Sequence, residues 1–182
     1  MLLVMTNAVR LLDAADRHDA DLVDHLTGLI NGVYAVAESG LWRDGTMRTT
    51  ASELGELIAA RQIAVATRDG EIAGAVRVHD VPGEASEFGM LAAATDHRGA
   101  GVGRALVEFA ERTSRTRGRR TMRLELLVPR SWRHPSKELL KAWYGRRGYR
   151  RTRISSFADA YPRLAPLLAT PCDLEIHEKP LR

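Results

Sequence analysis

The stretch Arg98-Gly99-Ala100-Gly101-Val102-Gly103-Arg104 constrains this chain most, because three glycines stand between a strand pattern and a helix pattern. Residues 87–93 ahead of it read as a strand, and residues 105–110 behind it have the apolar spacing of an amphipathic helix. Glycines at such a junction let backbone N–H groups converge on one point, and the helix N-terminus adds partial positive charge there. Phosphate suits that arrangement, with Arg98 and Arg104 as flanking cations. Two common phosphate turns are excluded by spacing. A dinucleotide fingerprint requires glycine where Arg104 stands, and a P-loop requires a Gly-Lys-Ser/Thr ending that is missing here.

What does fit is Arg-x-x-Gly-x-Gly, from Arg98 through Gly101 to Gly103, and in this the sequence resembles the GNAT superfamily of acetyl-CoA-dependent N-acetyltransferases. The resemblance implies that Arg98, Gly99, Ala100, Gly101, Val102, Gly103 and Arg104 hold the pyrophosphate of coenzyme A. Leu91-Ala92-Ala93 ends five residues before Arg98. The resemblance implies a strand that splays there from its neighbour and offers backbone groups to the pantetheine arm; without it, the segment is an ordinary core strand. Ala142-Trp143-Tyr144-Gly145-Arg146-Arg147-Gly148-Tyr149 is similar to the family's Phe/Leu-Tyr-x-x-x-Gly-Phe/Tyr helix ending, with Gly148 as a natural C′ residue. Tyr144 then stands where the family's tyrosine protonates the departing thiolate, whereas packing is the default reading of an aromatic near a helix end.

Glu87 lies four residues before Leu91, where many family members place a carboxylate that takes the proton of the attacking amine. Strand parity puts Glu87, Gly89 and Leu91 on one face. A solvated glutamate near a strand start is the plain alternative, and Glu125 on the next strand is the rival base. Seven residues before Tyr144, many members carry an asparagine that touches the coenzyme; here Lys137 stands there, preceded by Ser136. The contact is therefore expected to pass to the Ser136 hydroxyl or to a pairing of Lys137 with a phosphate.

At 182 residues the chain is expected to form one N-acetyltransferase domain over 1–182, with a sizeable core. No apolar run approaches a membrane span, and segment 1–5 is too short for a signal peptide's apolar region. The single cysteine, Cys172, excludes an intrachain disulfide and suits a reducing cytoplasm, as a small buried residue rather than a nucleophile. Six scattered histidines lack metal-ligand spacing, so no metal is expected. Charge divides unevenly, with a net −8 over residues 1–97 and a net +12 over residues 98–182. The basic half carries Arg115, Arg117, Arg119, Arg120 and Arg123. Such a field attracts a polyanionic coenzyme or a nucleic acid, or is simply a solvated face.

Along the chain, residues 8–14 read as a strand and 16–38 as a helix ended by Gly40. Thr50 and Glu53 form a capping-box pattern for a short helix through Ala60. Residues 63–67 and 72–79 are strands joined through Asp69-Gly70. The helix after the glycine turn stops at Gly118, and a strand over 121–128 ends at Pro129. Pro135 opens the Tyr144 helix, and 149–155 and 173–178 are the last strands. The fold class expected is α/β of the α+β type: a central mixed, mostly antiparallel sheet flanked by helices.

The resemblance implies direct acetyl transfer from acetyl-CoA, the cosubstrate, to a primary amine. Glu87 is then the base, a backbone N–H near Leu91 the oxyanion donor and Tyr144 the acid. It also implies an acceptor entering between residues 41–48 and 155–171. Trp42 either stacks on the substrate or is buried, and Asp44, Asp159 and Glu175 either attract a cationic amine or face solvent. The prolines at 162, 166 and 171 point to a cover that narrows the site, so a small-molecule acceptor is expected. A non-catalytic acetyl-CoA sensor and a basic nucleic-acid-binding module are the alternatives; the second lacks any helix-turn-helix, zinc-finger or RNP-like motif. An exposed edge near the last strands would make a homodimer unsurprising.

Overall fold

The computed structural model describes residues 7–182, so the apolar segment 1–5 lies outside it. Over these residues the order is β1 (Ala8–Leu11), α1 (Ala20–Ala37), α2 (Ala51–Ala59), β2 (Ile63–Arg68), β3 (Glu71–Val81), β4 (Ala85–Ala93), α3 (Val102–Thr116), β5 (Thr121–Pro129), α4 (Pro135–Arg146), β6 (Arg150–Ser156), α5 (Phe157–Ala160) and β7 (Cys172–Pro180). The turn chemistry explains most boundaries. Thr50 accepts a hydrogen bond from the Glu53 N–H at 3.1 Å and starts α2. Asp69 and Gly70, both at positive φ (55° and 87°), turn β2 into β3 as a tight hairpin requires.

The first strand and helix differ from the sequence expectation. β1 stops at Leu11, because Leu12 turns inward, is fully buried and donates its N–H to the Ile63 carbonyl at 2.8 Å. The expected helix over 16–38 is divided: a 3-10 turn spans Ala14–His18, and α1 begins afresh where the Asp19 side chain accepts the Leu22 N–H. Acidic residues that compete for backbone N–H groups break a helix pattern that apolar spacing alone would continue.

The strands form one sheet in the order β1-β2-β3-β4-β5-β7-β6, antiparallel except between β4 and β5. The chain therefore has the expected mixed, mostly antiparallel sheet flanked by helices. β7 lies between β5 and β6, which leaves β6 as an edge. That edge carries exposed Arg150, Arg151 and Arg153, and like charges there discourage strand-to-strand pairing.

Two of the three apolar clusters among the described residues lie on opposite faces of the sheet, and the third gathers Leu41, Leu127, Phe157, Leu174 and Ile176. α1 and α2 pack Leu26, Ile30, Leu54 and Ile58 onto Ile63, Val65, Ala75, Met90 and Ala92. On the other face, Leu106, Val107, Ala110 and Tyr144 from α3 and α4 cover Ala64, Val76, Val78, Phe88 and Leu124. Gly74 is required for this second contact: a Cβ there would lie 2.5 Å from the Ala92 carbonyl oxygen and 2.8 Å from Val102 Cγ1.

β4 is irregular along both of its edges. Toward β5 it pairs only at Ala85–Thr121, Ser86–Met122 and Glu87–Arg123, and the two strands then separate into a wedge. Toward β3 a β-bulge interrupts the register between Ala75 and Arg77, with Met90 at φ 48°.

Candidate active site

The glycine turn enters α3 as an open anion cradle. Gly99 and Gly101 both take positive φ, 81° and 78°, and Gly101 is the N-cap with no side chain bonded over the helix end. The first helical bond runs from the Ala105 N–H to the Gly101 carbonyl, so the N–H groups of Val102, Gly103 and Arg104 precede it. No acidic residue occupies the first turn. The Ala100 carbonyl, which would repel an anion, is bonded by Asn7 Nδ2 at 2.8 Å. Space above the turn is free as well, for a Cβ at Gly99 or Gly103 would meet nothing within 4 Å. Arg104 itself leans back along the helix to Glu108 at 2.9 Å, leaving Arg98 as the flanking cation without an ion-pair partner among the described residues.

The wedge begins one residue beyond Glu87. On the β5 side of β4, residues 88–93 have no strand partner, and this includes Leu91, Ala92 and Ala93. Tyr144 of α4 is buried at the wedge, with its ring 5.9 Å from that of Phe88. Its hydroxyl has no hydrogen-bond partner among the described residues. Burial, reinforced by the nearby Tyr34 phenol, pushes Tyr144 far above the ordinary tyrosine range. Tyr34 comes from α1 and lies beside the Leu91 backbone and Arg48, whose guanidinium stands 5.2 Å from the ring centroid. Burial raises the Tyr34 phenol too.

Charged side chains gather over β4 on its α1–α2 face. Arg123 Nε donates to Glu87 at 2.6 Å, and its Nη2 donates to Glu125 at 2.9 Å. The Tyr161 hydroxyl, just after α5, donates to the other Glu125 oxygen at 2.6 Å. Glu125 therefore has both oxygens engaged, whereas Glu87 keeps one free of protein partners among the described residues. Burial holds the Glu87 carboxyl above its usual range; repulsion from Glu125 adds to this and Arg123 opposes it. His79 lies directly across from Glu87 on β3, and burial, with Arg77 and Arg123 nearby, pushes its imidazole down to about 4. The space above Gly89 is open, since a Cβ there would meet nothing within 4 Å.

A family profile described as "Acetyltransferase (GNAT) domain" matches residues 59–151, from the end of α2 into β6. The chain belongs to the GNAT acetyltransferase family. No curated protein matches it. Among solved structures, it is similar in fold to the PaiA N-acetyltransferase from Thermoplasma acidophilum in complex with coenzyme A. That match has 16% identity, covers 97% of this chain and 99% of that one, and has a TM-score of 0.66. The ribosomal-protein-S18-alanine N-acetyltransferase from Escherichia coli matches at 18% identity over 97% and 94% of the two chains, with a TM-score of 0.64. An IAA acetyltransferase from Bacillus cereus matches at 15% identity over 97% and 100%, with a TM-score of 0.62.

As a GNAT acetyltransferase the protein is an acyltransferase that uses acetyl-CoA, and the open glycine turn and the unpaired β4 edge are fit to receive the coenzyme. Two sequence expectations about the site are corrected. The bulge at Met90 reverses strand parity, so Glu87 and Gly89 face α1 and α2 whereas Leu91 packs with the α3–α4 core. Lys137 is not available to a phosphate: it is 3% exposed and its ammonium is paired with Glu38 at 2.5 Å. Ser136, one residue earlier, is half-buried in the first turn of α4.

The segments expected to frame the acceptor do meet. Trp42 forms a β-bridge with Leu168, and the Arg43 N–H donates to the Leu167 carbonyl at 2.9 Å. Trp42 is a half-buried brace, donating to Glu38 at 2.6 Å and packing edge-on against Phe157. Glu175 is buried beside Lys141, Arg151 and His177, already paired and unavailable to a cationic amine. Most of the arginine cluster is neutralised likewise: Arg117 and Arg119 pair with Asp80, and Arg120 with Glu84. Sequence reasoning did not single out Tyr34, Arg77, His79 or Tyr161. Each looks ordinary in its own segment, and only the sheet register and the α1 packing bring them to Glu87 and Leu91.

Proposed function

We propose that one N-acetyltransferase domain transfers an acetyl group directly to the primary amine of a small molecule, with Glu87 as base and Tyr144 as acid. The observation that carries this reading is the parting of β4 from β5 immediately after Glu87 and Arg123. It leaves β4 backbone open between a raised carboxylate on one face and a protonated phenol on the other.

Acetyl-CoA supplies the thioester whose C–S bond breaks as the new C–N bond forms. The glycine turn, through the Val102, Gly103 and Arg104 N–H groups with Arg98 beside them, would hold the pyrophosphate. Leu91, Ala92 and Ala93 would bind the pantetheine arm through backbone groups, and the Ser136 hydroxyl would add a contact. Glu87 accepts the proton that the amine loses on attack; its raised carboxyl makes it a better base than an exposed glutamate. The Leu91 N–H, beside the Tyr34 phenol, would stabilise negative charge developing on the carbonyl oxygen. Tyr144 donates its proton to the leaving sulfur from its buried place at the wedge.

Tyr144→Phe removes only the hydroxyl. It should lower kcat by roughly 100-fold while leaving acetyl-CoA affinity intact, read by free-thiol release and by isothermal titration. An unchanged kcat would remove Tyr144 from the mechanism.

A further inference from the structure

Ion pairing over β4 is uneven. Arg123 is bracketed by Glu87 and Glu125, but Arg77 and Arg48 have no carboxylate partner among the described residues. Arg77 projects from β3 opposite Gly89 and is half-buried, yet its Nε donates to the neutral amide oxygen of Gln62 at 2.8 Å. A half-buried guanidinium ordinarily finds a counter-ion, because desolvating an unpaired charge is costly. Burial lowers Arg77 from the usual guanidinium range; Glu87 opposes this from a distance and Arg48 adds to it. Arg48, from the loop after α1, is satisfied by the Tyr34 ring rather than by an acid. Arg48 and Arg77 lie near each other and near Tyr161, and Arg77 stands opposite Gly89, above which the space is open. The other carboxylate facing Arg77 is Glu53, whose Oε2 is bonded by the Thr49 hydroxyl at 3.1 Å. None of these groups belongs to the glycine turn, which feeds α3 on the opposite face of the sheet.

We propose that Arg77 and Arg48 bind a carboxylate of the acceptor, so that the acceptor is an amino acid whose amine lies at Glu87. This rests on the acetyl-transfer reading and narrows it. A guanidinium presents paired donors that match a carboxylate, and two arginines at the acceptor mouth would repel a polyamine. The bound acid would supply the direct ion-pair partner that Arg77 and Arg48 lack among the described residues.

The test reads binding and turnover separately. The CoA-bound wild type, Arg77→Gln, Arg48→Gln and Arg77→Lys are titrated with pooled N-acetylamino acids and with the corresponding methyl esters. The wild type should bind acids at least about tenfold more tightly than esters, and Arg77→Gln should lose that preference. Arg77→Lys, which keeps charge without the planar fork, should fall between them, and matching melting curves show that the variants fold. Equal binding of acids and esters, or binding of neither, overturns the carboxylate site. In parallel, thiol release is followed for amino acids, their esters and the decarboxylated amines. Acids should be acetylated fastest, with Arg77→Gln raising KM for acids about 50-fold and changing the amines less than about threefold. Equal rates for all three classes overturn the carboxylate proposal and leave amine acetylation standing. Acid-selective binding with no thiol release from any amine supports the carboxylate site and overturns the acetyl-transfer reading.

Discussion

The two sides of the β4–β5 wedge are built by different means. The proposed coenzyme side is a backbone surface: positive-φ glycines, unbonded N–H groups at the start of α3, and the unpaired edge of β4. The proposed acceptor side is a side-chain surface, assembled from Arg48, Arg77, Glu87, Arg123, Glu125 and Tyr161 on five separate segments. A backbone surface recognises what every acetyl-CoA shares and tolerates drift in side chains. A surface of charged side chains recognises one acceptor, and a single substitution changes what it accepts. The first should be hard to alter except by blocking it, and the second easy to retune.

The largest effect expected lies at neither surface. Lys137→Met leaves the Glu38 carboxylate buried without its cation and should cost about 3 kcal/mol of stability, read from urea unfolding. Acetyl-CoA affinity per folded molecule should be unchanged; a large loss of affinity would return Lys137 to the coenzyme side. Next is Gly103→Glu. Its Cβ has open space, so the fold should persist, while a carboxylate among the α3 N–H groups should weaken acetyl-CoA binding by tenfold or more, roughly 1.4 kcal/mol. Binding as tight as wild type would mean that this turn is not the anion cradle.

The smallest and most diagnostic change is at Glu87. Because its carboxyl is raised in the folded protein, it loses its proton at a higher pH than an exposed glutamate. As a base it must be ionised, so wild-type kcat should fall on the acid side while the pH is still above the ordinary glutamate value of about 4.5. Glu87→Gln should abolish that acid limb and lower kcat at neutral pH by about tenfold, with recovery at high pH where free amine is abundant. A wild-type profile in the variant would transfer the base role to another group.

Legibility in the sequence follows the same division. The Asp69-Gly70 hairpin, the Thr50 cap and the glycine turn were readable because each is decided within a few residues by allowed φ and by local N–H partners. Glu87 was readable as a candidate through its spacing from Leu91, but its facing was not. The bulge places a non-glycine residue, Met90, at positive φ, and nothing in the alternation of residues 85–93 marks it. Lys137 was misread because its partner, Glu38, is 99 residues away. The charge asymmetry between the two halves was real but its reading was incomplete, for Asp80, Glu84 and Glu87 meet Arg117, Arg119, Arg120 and Arg123 across β3, β4 and β5.

By itself the sequence determined the order of the main strands and helices, the class of the sheet and the position of the glycine turn, since periodicity and glycine spacing are local properties of the backbone. Only the tertiary structure decided which arginines lack an ion-pair partner among the described residues, which carboxylate keeps a free oxygen and which carboxyl is raised. Those depend on desolvation and on neighbours across strands, and both are set by register, by the bulge in β4 and by the insertion of β7 between β5 and β6.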